Sequence, residues 1–259
     1  MKVKIIGAFG SRLANKFSSC FLINDKIAID AGNLSLIGKK ANFVNHIFIT
    51  HSHLDHILDI PFVIAELYPI RKVPLKIYGS NFTIRSLKKF IFNNRIWPDF
   101  TKIKIIKSLQ CSLEFHEIKE GDKIKIKNFE ITPFSSNHII PTFGYKILEK
   151  NKLSILISGD TWKQENIWKM ANEDNLVKAI FIDVSFPKKF KKLAFQTKHL
   201  STGDLEEEIK LKLKRKNISV FAYHIKPLFF NEVEKEIKMI RKKVYPKVKY
   251  VKQGDVYMF

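Results

Sequence analysis

Apolar and polar positions along the chain change period repeatedly, and each change marks an element boundary. Short apolar runs at Val3–Ile6, Ser18–Ile23, Lys26–Asp30 and His46–Thr50 predict strands, with Asn24-Asp25 as a tight turn between the second and third. Leu54 to about Leu67 predicts a helix without internal Gly, weakest at Pro61. Leu75–Tyr78 reads as a strand and Asn81 to Phe92 as a helix. Lys102–Lys107, Ser112–Ile118, Lys123–Lys127 and Phe129–Pro133 alternate as strands do. The second half repeats the theme. Leu153–Ser158, Ala179–Val184, Ile218–Tyr223 and Val248–Lys252 predict strands, and Lys163–Ala171, Thr202–Lys216 and Asn231–Lys242 predict helices. Leu205, Ile209 and Leu213 share one face of the second of these helices.

Strands and helices mixed in both halves predict an α/β protein, and the layer rule by itself goes no further. No repeat, low-complexity tract or Pro/Gly/Ser-rich linker divides the chain, so one domain is expected over 1–259. The composition, 45% hydrophobic and 27% charged, is that of a soluble globular protein and excludes a disordered one. No apolar run approaches the ~20 residues of a membrane span, and the N-terminus lacks the apolar segment of a signal peptide. Cys20 and Cys111 form no CxxC, which argues against disulfide or thiolate-zinc scaffolds and suits the cytoplasm.

Charge adds a question about partners. Forty-six Lys and Arg against 25 Asp and Glu leave a net +21. A polyanion partner is one reading. A compositional bias is the other, because 40 of the 46 are Lys, spread over the chain, with one cluster at Lys212, Lys214, Arg215 and Lys216.

The chemistry concentrates in Thr50-His51-Ser52-His53-Leu54-Asp55-His56, where a predicted strand meets a predicted helix. Three imidazoles and a carboxylate so close together need a compensating charge, and a divalent cation supplies it. His51 and His53 reach one metal from the turn, and Asp55 and His56 face a second. His138 follows a strand, Gly159-Asp160 ends an apolar strand and His224 ends another. Together they complete the ligands of a two-metal site.

These motifs resemble the metallo-β-lactamase fold superfamily. Within it they are most similar to the class II 3′,5′-cyclic-nucleotide phosphodiesterases, through Ile96-Trp97-Pro98, Gly159-Asp160-Thr161, Lys198-His199-Leu200-Ser201 and His224-Ile225-Lys226-Pro227. Asp183 stands where that family leads one to expect Glu, and Pro141-Thr142-Phe143-Gly144-Tyr145 also resembles the tRNase Z branch. The resemblance implies an αββα four-layer sandwich of two mixed sheets with helices on both outer faces. It implies two Zn2+ per chain, with Mn2+ or Fe2+ as alternative occupants: one ion on His51, His53 and His138, the other on Asp55, His56 and His224, and Asp160 bridging. The implied reaction is hydrolysis of cAMP or cGMP to the 5′-monophosphate by a metal-bridging hydroxide. The alternative is tRNA 3′-end processing, with RNA as partner. A homodimer is compatible with the fold.

Asp55 and His199 are the candidate catalytic residues. His199 is either a general acid for the leaving 3′-oxygen or a polar residue at a helix start. Lys226 is a candidate phosphate contact and Thr142 a candidate pocket residue. His46 and His116 are expected to be structural.

Overall fold

The computed structural model describes residues 1–150 and 152–259. The first half of the chain supplies β1 (Lys2–Gly7), β2 (Cys20–Ile23), β3 (Ile27–Ile29), β4 (His46–Phe48), β5 (Leu75–Gly79) and β6 (Leu113–Glu117). The second supplies β7 (Ile124–Ile126), β8 (Phe129–Ser136), β9 (Thr142–Glu149), β10 (Leu153–Ile157), β11 (Val177–Asp183), β12 (Ser219–Tyr223) and β13 (Val248–Tyr250). The last strand, β14 (Val256–Met258), returns to pair with β1.

Two seven-stranded sheets result, ordered β14-β1-β2-β3-β4-β5-β6 and β13-β12-β11-β10-β9-β8-β7. Each joins an antiparallel meander to a parallel run. The parallel runs are β3–β4–β5–β6 in the first sheet and β10–β11–β12–β13 in the second. Between them the chain forms α1 (Leu54–Ile57), α2 (Ile60–Leu67), α3 (Asn81–Phe90), α4 (Asn166–Glu173), α5 (Lys191–Thr197), α6 (Thr202–Lys212) and α7 (Phe230–Lys243).

Period-2 alternation sorts the strand side chains onto two faces. In the first sheet Ile5, Phe21, Ile23, Ile27, Ile29 and Phe48 enter the core shared with the second sheet. Their neighbours Ile6, Cys20, Leu22, Ala28, Ile47 and Ile49 point the other way, onto Ile60, Val63 and Ile64 of α2 and Ile84 and Leu87 of α3. In the second sheet both faces of β11 are buried from Ala179 to Asp183, and Trp168, Leu205, Ile209 and Val233 of the outer helices belong to the same core. The expected αββα sandwich is therefore observed.

Several sequence expectations need correction. The helix from Leu54 splits into α1 and α2, because Pro61 has no N–H to donate and starts a new first turn. Lys102–Lys107 is not a strand. Lys107 takes a left-handed φ of 60°, and the run turns back so that Ser112 N–H donates to the Ile103 carbonyl. Outside the sequence expectations lay β9, α5, β14, a kinked 3-10 segment, Leu34–Phe43, and the short 3-10 turns Tyr68–Ile70, Lys188–Phe190 and Pro227–Phe229. Two of the four cations of the Lys212–Lys216 cluster are committed within the fold, and Lys214 and Lys216 are exposed. Lys212 pairs with Glu165 and Glu208, and Arg215 donates to the carbonyls of Ala171 and Asp174 at one helix end.

One buried hydrogen bond ties the sheets together below the candidate site. The hydroxyl of Tyr145 on β9 donates to the carbonyl of Ile49, just past β4, at 2.7 Å. Tyr145→Phe leaves that carbonyl buried without its partner, at a cost of about 1–2 kcal/mol. Urea denaturation should show a lower midpoint with an unchanged slope. An unchanged midpoint would mean that this bond does not couple the sheets.

Candidate metal centre

The candidate residues gather where strands of the two sheets end on a common rim. Thr50 and His51 follow β4, His53 is the N-cap of α1, and Asp55 and His56 lie in its first turn. His138 follows β8, Asp160 follows β10, Asp183 ends β11 and His224 follows β12. Strand ends bring these groups together without long loops, which fixes them on rigid elements.

Two nests of donors meet at Asp160. In the first, His51 Nε2 lies 2.9 Å from His53 Nδ1, and His138 Nε2 lies 3.4 Å from that same Nδ1. Asp160 Oδ2 completes it, 3.6 Å from His51 Nε2 and 4.0 Å from His138 Nε2. In the second nest His56 Nε2 and His224 Nε2 are 3.3 Å apart, and Asp55 Oδ2 is 3.3 Å from His224 Nε2. Asp160 Oδ1 completes that nest, at 3.3 Å from His56 and 3.2 Å from His224. One carboxylate oxygen thus serves each nest.

The donor set fits divalent cations. Ligand bonds of ~2.0–2.1 Å around a tetrahedral ion place neighbouring donors about 3.3 Å apart, which is the spacing seen. Asp160 is 1% exposed, and its Oδ1 has no hydrogen-bond partner. A buried carboxylate oxygen facing two imidazole nitrogens calls for positive charge, which a divalent ion on those nitrogens would supply.

The outer nitrogens are held by a second layer. His56 Nδ1 is 2.7 Å from Asp30 Oδ2, and His138 Nδ1 is 3.0 Å from the Lys198 carbonyl. Both partners only accept, so each Nδ1 carries a hydrogen and each Nε2 faces inward, where its lone pair serves a metal once the ring is neutral. Thr50 Oγ1 lies 3.0 Å from His51 Nδ1 and 2.9 Å from Asp30 Oδ2. Ser185 Oγ lies 3.0 Å from His224 Nδ1. Asp30, Lys198 and His224 all sit at positive φ, near 60°, a conformation that costs non-glycine residues of order 1 kcal/mol or more. Gly159 takes φ +65°, and a Cβ there would lie 2.5 Å from the Phe143 carbonyl, so only glycine lets the chain present Asp160.

Electrostatics divides the imidazoles. Burial lowers the pKa of His51 well below its usual value and takes His138 down to about 4, so both are neutral donors. Burial works against charge at His224 too, but Asp160, Asp183 and Asp55 prevail and raise it to about 9. At His56 burial is likewise outweighed by Asp160, Asp30 and Asp55. Asp160 is held well below the usual carboxylate range, because His224, His56 and His51 outweigh its burial. In the absence of metal the stabilising charge of His224 is fully present below its unfolded pKa and is lost as pH rises through about 9. A cation entering the second nest displaces such protons, so its binding strengthens as pH rises.

The other sequence candidates fall around this centre. His199 is buried, with Nδ1 2.7 Å from Asp183 Oδ2 and its ring stacked on His224 at 5.2 Å. Lys226 Nζ donates to the Gly10 carbonyl at 2.6 Å. Gly10 itself packs where a Cβ would meet the His224 ring at 2.5 Å. Thr142 is buried beside Gly159, its hydroxyl donating to the Ile140 carbonyl. His46 and His116 lie away from the centre, stacked on either side of Tyr78. Sequence reasoning missed Asp30, Thr50 and Ser185. Asp30 had a usable signal, for it ends an apolar run as Asp160 does.

Comparison with known proteins agrees with this geometry. The family model for class-II cAMP phosphodiesterases matches residues 32–220. The chain belongs to that family. Its members are hydrolases of metallo-β-lactamase fold, as the suspected resemblance implied. Among curated relatives, 3′,5′-cyclic-nucleotide phosphodiesterase 1 of Saccharomyces cerevisiae is 32% identical over 123 residues, 44% of this chain and 32% of that protein. Ribonuclease Z of Pyrococcus horikoshii is 31% identical over 110 residues, 42% of this chain and 32% of that protein. The matched stretch is thus about a third of each relative's length. Unliganded yeast PDE1 superposes over 100% of this chain and 99% of its own with TM-score 0.81 and 17% identity. Human tRNase Z, short form, covers 100% of this chain and 99% of its own with TM-score 0.70 and 16% identity. Among the described residues no helix is long and apolar enough to cross a membrane.

Asp30→Asn tests the second layer. The amide keeps the size of the side chain but no longer sets the His56 tautomer by charge. Metal affinity of the second nest should fall about 10–100-fold with the fold intact. Competition against a chromogenic chelator measures it, and wild-type affinity would show that Asp30 does not orient His56.

Proposed function

We propose that the chain is a dinuclear zinc phosphodiesterase hydrolysing 3′,5′-cyclic nucleotides to 5′-monophosphates, with 1–259 working as one catalytic unit in the cytoplasm. The observation that carries this reading is Asp160, whose two oxygens each face a separate nest of imidazoles. His51, His53 and His138 would hold one ion, Asp55, His56 and His224 the other, with Asp160 between them. Bound there, two divalent ions supply positive charge to the phosphodiester oxygens and a nucleophile at neutral pH.

The chain's own groups do the rest. Asp55, whose side chain is 24% exposed, accepts a hydrogen from the attacking water and orients it. Asp183 accepts from His199 Nδ1, so the free nitrogen, Nε2, carries the proton for the leaving 3′-oxygen. Asp183 is buried, but the nearby His199 and His224 hold its pKa at about 2, so it stays ionised and fixes the ring through Nδ1. Lys226 uses one hydrogen on Gly10, which leaves two for a phosphate oxygen. Thr142 closes the pocket floor beside Gly159.

A second reading is a tRNase Z-like endoribonuclease. The ribonuclease Z relatives and the net charge of +21 favour it. A substrate panel separates the two: cAMP, cGMP, bis-p-nitrophenyl phosphate and a 3′-extended pre-tRNA. Turnover of cyclic nucleotides is expected. Rapid cleavage of pre-tRNA with none of cAMP would reverse the ranking. On the same panel His199→Ala should lower kcat for cAMP by about 10²–10⁴-fold. The loss should be much smaller for the p-nitrophenyl ester, whose leaving group needs little protonation, and metal content should not change. Equal losses on both substrates would reject the proton-donor role.

A further inference from the structure

A second cavity lies at the opposite end of the molecule from the metal centre, with a volume of about 630 Å³. It opens where the parallel strands begin. His46 starts β4 inside it, whereas His51, just beyond that strand, stands in the metal centre roughly 17 Å away at ~3.3 Å per residue. Phe129 starts β8 in the same cavity, and His138 follows that strand at the centre. The two sites therefore do not share a wall.

The cavity carries charge of one sign. Arg71, Lys26, Lys72 and Lys127 line it, and no Asp or Glu does. Arg71 is 3% exposed and is fixed by three acceptors: the Val73 carbonyl at 3.3 Å from Nε, and Asn45 Oδ1 at 2.9 Å and the Val44 carbonyl at 3.4 Å from Nη2. Its remaining nitrogen, Nη1, is buried without a partner. Burial brings its pKa down to about 10, which leaves it charged at neutral pH. A buried guanidinium with no carboxylate partner among the described residues, beneath a basic cavity, is costly unless an anion lies close by. Asn42 lines the same cavity, with its Oδ1 buried. Beside it Phe43 is 67% exposed, leaving an apolar ring face without cover.

We infer that this cavity is a binding site for a nucleoside polyphosphate. The phosphates meet the three exposed lysines above the buried charge of Arg71, and the base stacks on Phe43. Four cations balance the roughly four negative charges of a triphosphate. The volume falls within the ~300–1,000 Å³ of small-molecule pockets.

Titration of the metal-loaded protein with a fluorescent ATP derivative tests this, followed by competition with ATP, inorganic triphosphate and adenosine. ATP should compete best, because triphosphate lacks the base and adenosine the charge. The double substitution K72E/K127E reverses two exposed charges, so the fold is not at risk. It should weaken ATP binding about tenfold or more, with unchanged turnover of bis-p-nitrophenyl phosphate and unchanged metal content. Arg71→Met should weaken binding at least as much, and metal content reports whether that variant is folded. Phe43→Ala should weaken ATP but not triphosphate. Wild-type ATP affinity in K72E/K127E would place the ligand elsewhere, the metal centre included, and overturn the inference. Equal affinity for ATP and triphosphate, or binding of RNA but no mononucleotide, would overturn the assignment to a nucleotide.

Discussion

The structure depends on one carboxylate. Asp160 is buried, it is shared between two nests of imidazoles, and its Oδ1 faces the Nε2 atoms of His56 and His224 alone. Isolated, such a group would cost several kcal/mol to bury. Its place makes sense only with positive charge on both sides. The carboxylates around His56 and His224 raise the pKa of both rings and so favour such charge there. Cations would supply the same charge, and the donor spacing already suits them.

The rest of the fold serves to hold that point still. Parallel strands in both sheets end at a common rim, so ligands distant in sequence arrive on rigid backbone. Asp30, Thr50, Ser185 and the Lys198 carbonyl then fix the rings from behind. Backbone conformations that side chains usually avoid collect here, at Asp30, Lys198 and His224, as expected where geometry serves chemistry at the expense of local stability. Asp183 links the centre to the proton donor proposed above, because it reaches both His199 Nδ1 and Ser185 Oγ. Its shorter side chain, where Glu was expected, does not prevent that contact.

Much of this was legible in the sequence because the signals were local. Three His and an Asp within six residues mark a metal site by chemistry alone, and His138, Asp160 and His224 each follow an apolar run that had to be a strand. What escaped was set by tertiary context. Lys102–Lys107 alternates as well as any true strand, but it turns back at Lys107 and pairs in no sheet. Thr142–Glu149 reads as a motif with a glycine in it, yet it is a central strand whose Gly144 clears the Phe134 ring. Asp30 was passed over because one Asp at a strand end is unremarkable until His56 is seen 2.7 Å away. The basic character was legible as a number but not as a place. Lys212 and Arg215 are committed to the fold, whereas Lys26, Lys72 and Lys127 come together from three separate turns.

The central claim, that Asp160 bridges two cations, is tested most directly by X-ray absorption and anomalous diffraction on the zinc-loaded protein. Two metal peaks about 3.5–4 Å apart are expected, one on each side of the Asp160 carboxylate. A single peak confined to His51, His53 and His138, with the second nest still protonated at neutral pH, would contradict it.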